Sequence, residues 1–138
     1  MAFIDIGDNT PEELVLIPAG TETKLRIIGY ITQEEDGETK YIRVDKNGNP
    51  YFMPIYEPAD EPMADELTDY IPLPHENMTP REKSKAAFKI QTWEACFDLV
   101  DNDSGDFAGS IGAEGDAILG TRTNKRSQED ENYVKKYL

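Results

Sequence analysis

The chain has 138 residues, with 28 acidic against 14 basic side chains and a formal net charge of −14. That length suits one domain, residues 1–138, with a single hydrophobic core. The negative charge argues against a protein that coats nucleic acid with an overall positive surface, although a local basic patch still suffices to contact phosphates.

The sequence favours a soluble protein of a reducing compartment. A single cysteine, Cys96, excludes an intrachain disulfide. No apolar run approaches the ~18 residues of a membrane-spanning helix, and the first residues lack the basic and apolar regions of a signal peptide. We therefore expect a cytoplasmic protein with no membrane partner.

Residues 23–31 and 39–45 alternate as β-strands that bury one face. The faces expected to point into the core carry Leu25, Ile27, Ile31, Ile42 and Val44. The faces expected to point outward carry Lys24, Arg26, Ile28, Tyr30, Tyr41 and Arg43. Hairpin turns are predicted at 34–37 and at Asn47-Gly48-Asn49, since Asn-Gly tolerates positive φ.

A third strand is predicted at residues 51–56, where Pro54 favours an edge position or a bulge. Residues 57–78 follow as an acidic insertion that is rich in proline and has no Lys or Arg. This composition predicts a long, irregular segment. A loop of this length inside a compact domain is either functional or partly disordered.

Residues 79–100 carry the signals of one α-helix. Thr79-Pro80-Arg81-Glu82 is a capping box with proline at the first helical position. Apolar residues then recur at helical spacing at Ala86, Ile90, Trp93, Phe97 and Val100. Short strands are predicted at 107–111, 116–121 and 132–138, with a polar hairpin loop at 123–131.

The residues offer no constellation for catalysis. His75 is the only histidine and has no neighbouring partner, so a locally hydrogen-bonded role is favoured over a catalytic one. Cys96 is expected to be a buried structural thiol. Asp101, Asp103 and Asp106 resemble the start of a calcium loop, but Gly112 stands where the bidentate Glu is required. We therefore expect no enzyme activity, no metal and no cofactor.

Aromatic and basic residues share the predicted outward faces of the strands, a pattern typical of single-stranded nucleic-acid binding. The residues predicted to stack on bases are Tyr30, Tyr41, Phe52 and Tyr56. The residues predicted to contact phosphates are Lys24, Arg26 and Arg43. The alternative is that tyrosine simply favours strands while lysine and arginine keep an exposed sheet soluble.

The order of motifs resembles phage-encoded OB-fold single-stranded-DNA-binding proteins. The resemblance spans residues 18–138 and rests on Pro18-Ala19-Gly20 before a strand, the helical Trp93-Glu94-Ala95-Cys96-Phe97, Gly112-Ala113-Glu114-Gly115 and the closing Asn132-Tyr133-Val134. It implies a mainly β fold: an OB-like five-stranded Greek-key barrel with one covering helix between the third and fourth strands. It also implies single-stranded DNA binding in phage replication or recombination within an infected bacterium, with phage or host replication proteins as partners.

A protein-interaction or virion structural module is the competing class. In that case the acidic stretch 57–69 and the loop at 123–131 would dock on a partner, and an acidic mimic of DNA is a variant of the same idea. Selective binding to single-stranded DNA would separate the first function from both alternatives.

Overall fold

A computed structural model of the chain describes residues 14–99 and 106–138. Within these residues the strands are β1 (Glu22–Tyr30), β2 (Gln33–Glu35), β3 (Glu38–Lys40), β4 (Arg43–Val44), β5 (Pro50–Phe52), β6 (Pro54–Pro58), β7 (Leu67–Thr68), β8 (Ile71–Pro72), β9 (Glu114–Thr123) and β10 (Asp130–Tyr137). The helices are α1 (Pro80–Cys96), between β8 and β9, and the short α2 (Phe107–Ser110), which directly precedes β9.

Five antiparallel strands form a nearly closed barrel in the order β10-β9-β1-β6-β7. In chain order the fourth of these strands, β9, returns to lie beside the first, β1, which is the Greek-key arrangement. The long helix α1 lies between the third and fourth barrel strands. The predicted mainly β, OB-like barrel with one long helix is therefore confirmed.

The second and third barrel strands form one ladder that extends beyond the barrel. Tyr56 pairs with Leu67 in β6 and β7, and Phe52 pairs with Ile71 in β5 and β8 with no change of register. We call β5–β6 paired with β7–β8 the long ladder. Its central interruption coincides with Pro54, which starts β6 and has no N–H to donate. Because β6 has a partner on each side, the predicted edge position is wrong.

The acidic insertion is more ordered than its composition indicates. Residues 57–78 contain β7 and β8, and both Leu67 and Ile71 are buried in the core. The prediction of an irregular segment is therefore wrong. The sequence does not reveal these strands because each has only two residues. Two-residue strands leave no alternation to detect, so tertiary pairing with β5 and β6 defines them.

The helix begins as predicted and ends earlier. Thr79 is the N-cap, its hydroxyl accepts from the Glu82 N–H at 3.2 Å, and the Glu82 carboxylate accepts from the Thr79 N–H at 3.0 Å. Phe97 is the C-cap, and Asp98 has a positive φ of 58° that the helix cannot continue through. The predicted end at Val100 lies outside the described residues.

The segment after the helix differs from the predicted strand at 107–111. Phe107–Ser110 is helical, and the Asp106 carboxylate accepts from the Gly109 N–H at 2.9 Å as its N-cap. Of the three residues resembling a calcium loop, Asp101 and Asp103 lie outside the described residues. The predicted polar loop at 123–131 is a tight turn, closed by the Asn124 N–H bond to the Glu129 carbonyl at 2.8 Å.

Candidate nucleic-acid interface

The two basic residues of β1 have different surroundings. Lys24 is exposed and takes part in none of the ion pairs of the described residues. Arg26 bridges its two cross-strand partners, with its guanidinium 2.7 Å from Glu57 and 3.0 Å from Glu114. The hydrogen bond to Glu57 and then the charge of Glu114 raise the pKa of Arg26. A phosphate would therefore compete with two carboxylates for this side chain.

Tyr30 lies in the core, so its predicted outward orientation is wrong. A bulge between Ile27 and Gly29 shifts the pairing of β1 with β6 and reverses the alternation beyond it. The ring is only 7% exposed, and its hydroxyl is hydrogen-bonded to Ser110. Burial raises the pKa of Tyr30 to about 12. No ring face is left for a base.

Phe52 and Tyr56 are also core residues, which corrects their assignment to base stacking. Phe52 packs edge-on against Trp93, with ring centroids 5.0 Å apart. Tyr56 stacks on Phe97 at 5.4 Å and accepts the indole N–H of Trp93 at 2.8 Å. Both point inward because even-numbered residues of β5 and β6 are the buried ones.

Tyr41 is half-buried, so its predicted outward orientation is wrong, as are the predicted core positions of Ile42 and Val44. Its ring stacks on Phe107 at 5.5 Å, while Ile42 and Val44, which we expected in the core, are exposed. The chain bends between β3 and β4, so one continuous alternation does not extend through both strands. The ring of Tyr41 is consequently committed to an internal aromatic cluster.

Two other tyrosines form a surface pair beside the remaining predicted cation. The rings of Tyr51 and Tyr70 lie 4.6 Å apart at an angle of 30°, and the Arg43 guanidinium carbon lies 5.8 Å from the centre of the Tyr51 ring. We call Arg43, Tyr51 and Tyr70 the tyrosine patch. It is accessible, since Tyr70 is 44% exposed.

The long ladder and its neighbour β4 position the patch. Tyr51 precedes buried Phe52 in β5 and Tyr70 precedes buried Ile71, so alternation directs both rings to the outer surface. Arg43 pairs directly with Tyr51 across β4 and β5. These strands form a separate three-stranded sheet, β4-β5-β8, which continues the second and third barrel strands, and the face of those two strands is where OB folds bind oligonucleotides.

The electrostatics of the patch include an unsatisfied donor. Among the described residues, the buried Nε of Arg43 lacks a hydrogen-bond partner, an arrangement that typically costs ~1–3 kcal/mol. Partial burial, followed by the nearby Asp45 carboxylate, raises the pKa of Tyr70. The Lys89 ammonium donates to the Tyr70 carbonyl at 3.1 Å at the edge of the patch, where it is also paired with the Asp69 carboxylate at 3.4 Å.

Of the seven residues predicted from sequence, the structure places only Arg43 in the patch. Tyr51, Tyr70 and Lys89 are not among those seven residues. Tyr70 lies in the insertion expected to be irregular. The register of the long ladder identifies it. Because Tyr51 pairs with Pro72, Tyr70 lies two residues away on the same face.

The residues considered for other chemistry have local roles. The Asn77 N–H donates to His75 Nδ1 at 3.2 Å, which is a local hydrogen bond of the kind predicted for this residue. Cys96 is half-buried, and its thiol donates to the Asp116 carbonyl at 3.2 Å. Within 14–99 and 106–138, no three His, Cys, Asp or Glu side chains are placed to hold a metal ion.

Across the described part of the chain, no helix combines the length and apolar character that crossing a membrane requires. Comparison with protein-family models and with curated protein sequences gives no match for this chain.

Proposed function

We propose that this chain is a non-catalytic single-stranded-DNA-binding protein that uses the tyrosine patch. The observation that carries the proposal is the pair of adjacent tyrosine rings, 4.6 Å apart beside Arg43, on the outer face of the long ladder of an OB-like barrel. Exposed aromatic rings stack on bases without sequence preference, and each stacked base contributes about 1–3 kcal/mol.

Arg43 supports the same function by its charge and geometry. A guanidinium beside an aromatic ring both stacks on bases and donates to phosphate oxygens. Because Arg43 already packs on Tyr51, little side-chain entropy is lost when it contacts a strand.

The charge of the chain sets the expected strength of binding. With a net charge of −14, the long-range electrostatic interaction with DNA is repulsive. Binding therefore depends on stacking and on a few local cations. Each phosphate contact on a single strand contributes about −0.7 to the slope of log K against log salt. Arg43 alone would give a slope of about −0.7, and Lys89 would bring it to about −1.4 if a phosphate displaces the Asp69 carboxylate from it.

The biological role follows from the sequence resemblance alone. A barrel that binds single strands without cutting them suits phage DNA replication or recombination, where such strands are exposed. Phage or host replication proteins would then be its protein partners, in the cytoplasm of the infected host.

The test is fluorescence anisotropy of a labelled oligo-dT of about 12 nucleotides, within the range that one OB fold covers. A duplex of equal length is the control for selectivity. We expect selective binding to the single strand, and a loss of about 5- to 150-fold for Tyr70→Ala, the equivalent of one stacked base. Tyr70→Phe is the matched control and should retain affinity because it keeps the ring. Equal affinity of Tyr70→Ala and wild type would contradict the proposal.

A second candidate function is supported by an open groove on a different surface. The groove has a volume of about 670 Å³ between residues 14–16, β7 and the β9–β10 hairpin. Exposed Leu14, Val15 and Leu16 meet the carboxylates of Glu66 and Asp130 there. A groove with an acidic lining and an apolar side at residues 14–16 suits the docking of a basic protein segment. Absence of oligo-dT binding at low salt would favour this candidate.

A further inference from the structure

We infer that the single-stranded-DNA track continues from the tyrosine patch onto the outer face of α1. The inference rests on the proposed function and adds a second stacking position at Phe88, together with phosphate contacts at Arg81 and Lys85. We call Arg81, Ser84, Lys85 and Phe88 the helix stripe.

Phe88 is an unusual surface residue. It is 70% exposed, more than any other large apolar side chain of the described residues. Arg81, Ser84 and Lys85 surround it and line one shallow depression with it. These positions lie three, four and seven residues before Phe88 and therefore share one face of the helix. An aromatic ring among cations is the composition that single strands bind.

The two basic residues of the helix stripe are not neutralised by ion pairs within the described chain. No ion pair of the described residues includes Arg81 or Lys85. Both lie in the first half of α1, where positive charge opposes the helix dipole. In a chain with a net charge of −14, two unpaired cations beside an exposed ring are complementary to a polyanion with stacking bases.

Lys89 joins the stripe to the tyrosine patch. Arg81, Lys85 and Lys89 follow one another at intervals of four residues and span about 12 Å along the helix. Lys89 donates to the Tyr70 carbonyl at 3.1 Å and is paired with Asp69 at 3.4 Å, so the row of basic residues ends beside one of the stacking rings. This continuity favours a nucleic-acid strand over an acidic protein segment, which would have no reason to adjoin Tyr70.

The test compares oligo-dT of about 4 and about 12 nucleotides, the shorter being near the lower limit of an OB-fold site. For the longer oligonucleotide, we expect Phe88→Ala to lose about 5- to 150-fold in affinity. The Arg81→Gln/Lys85→Gln variant should reduce the magnitude of the salt slope by about 1.4. For the shorter oligonucleotide, both variants should match wild type because the tyrosine patch alone holds it.

Lys83→Gln is the matched control, because it removes the same charge about 200° away from Lys85 around the helix. If the helix variants bind the longer oligonucleotide like wild type while Tyr70→Ala does not, the helix track is wrong and the tyrosine patch stands. If Lys83→Gln weakens binding as much as Arg81→Gln/Lys85→Gln, net charge and not the stripe is responsible, which also overturns the inference. If wild type binds neither oligonucleotide, both the track and the proposed function are wrong.

Discussion

The Tyr137 hydroxyl donates to the Asp69 carboxylate at 2.6 Å and so links the last barrel strand to the end of the third. The same hydroxyl lies 2.7 Å from that of Tyr56, which receives the indole N–H of Trp93. An indole N–H can only donate and an ionised carboxylate can only accept. The hydrogen bonds therefore all run in one direction, from Trp93 through Tyr56 and Tyr137 to Asp69. The helix and the barrel closure thus share one buried network.

Removing the Tyr137 hydroxyl should destabilise the fold. Tyr137→Phe leaves the Tyr56 hydroxyl without its acceptor and removes one of the donors to Asp69, and we expect a loss of about 1–3 kcal/mol in the free energy of unfolding. Urea denaturation measures this loss. Tyr133→Phe is the control on the same strand, since the Tyr133 hydroxyl makes no hydrogen bond within the described residues. Equal stability of the two variants would contradict a closing role for Tyr137.

Stability should fall at alkaline pH. Burial raises the pKa of Tyr30 from 10.0 to about 12 in the folded state and also raises the pKa values of Tyr56 and Tyr137. A raised folded-state pKa means that the folded state holds the proton more tightly. The stabilisation is therefore complete below the unfolded pKa and is lost as pH rises toward the folded one.

For Tyr30 the window of this loss extends from about pH 10 to about pH 12. Urea denaturation at a series of pH values should show a constant contribution below the window and a decline within it. Tyr30→Phe removes one titrating group, so its decline should be shallower than that of wild type. Parallel pH curves for the two proteins would show that Tyr30 ionises alike in the folded and unfolded states.

A glycine determines how closely the helix end approaches the barrel. A Cβ at Gly115 in β9 would lie 2.5 Å from the backbone oxygen of Cys96, the last residue of α1. We expect Gly115→Ala to lower the free energy of unfolding by about 1–3 kcal/mol, the usual cost of overpacking. Gly29→Ala is the matched control because no atom lies within 4 Å of a Cβ there. Similar losses for both variants would mean that the cost of replacing a strand glycine, and not the contact with Cys96, lowers the free energy of unfolding.

The parts of the fold that sequence predicted were those with strong local chemistry. Thr79 and Glu82 determine the start of the helix through their own side chains, and Gly48 adopts the positive φ of 80° that the Asn-Gly turn requires. Neither feature needs information from distant residues.

The candidate site was harder to predict because it depends on tertiary pairing. One bulge after Ile27 reversed the face of Tyr30, and the bend after β3 reversed that of Ile42. Tyr70 became a neighbour of Tyr51 only through the pairing of β5 with β8. A one-residue shift changes the face of every following side chain, so alternation alone could not separate stacking tyrosines from core tyrosines.

Backbone-amide NMR of the whole chain during titration with an oligo-dT of about 12 nucleotides tests the central claim most directly. We expect saturable shift changes centred on Arg43, Tyr51 and Tyr70, with little change for the duplex of equal length. Shift changes confined to the acidic groove beside Leu16 and Glu66, or none at all, would contradict single-strand binding at the tyrosine patch.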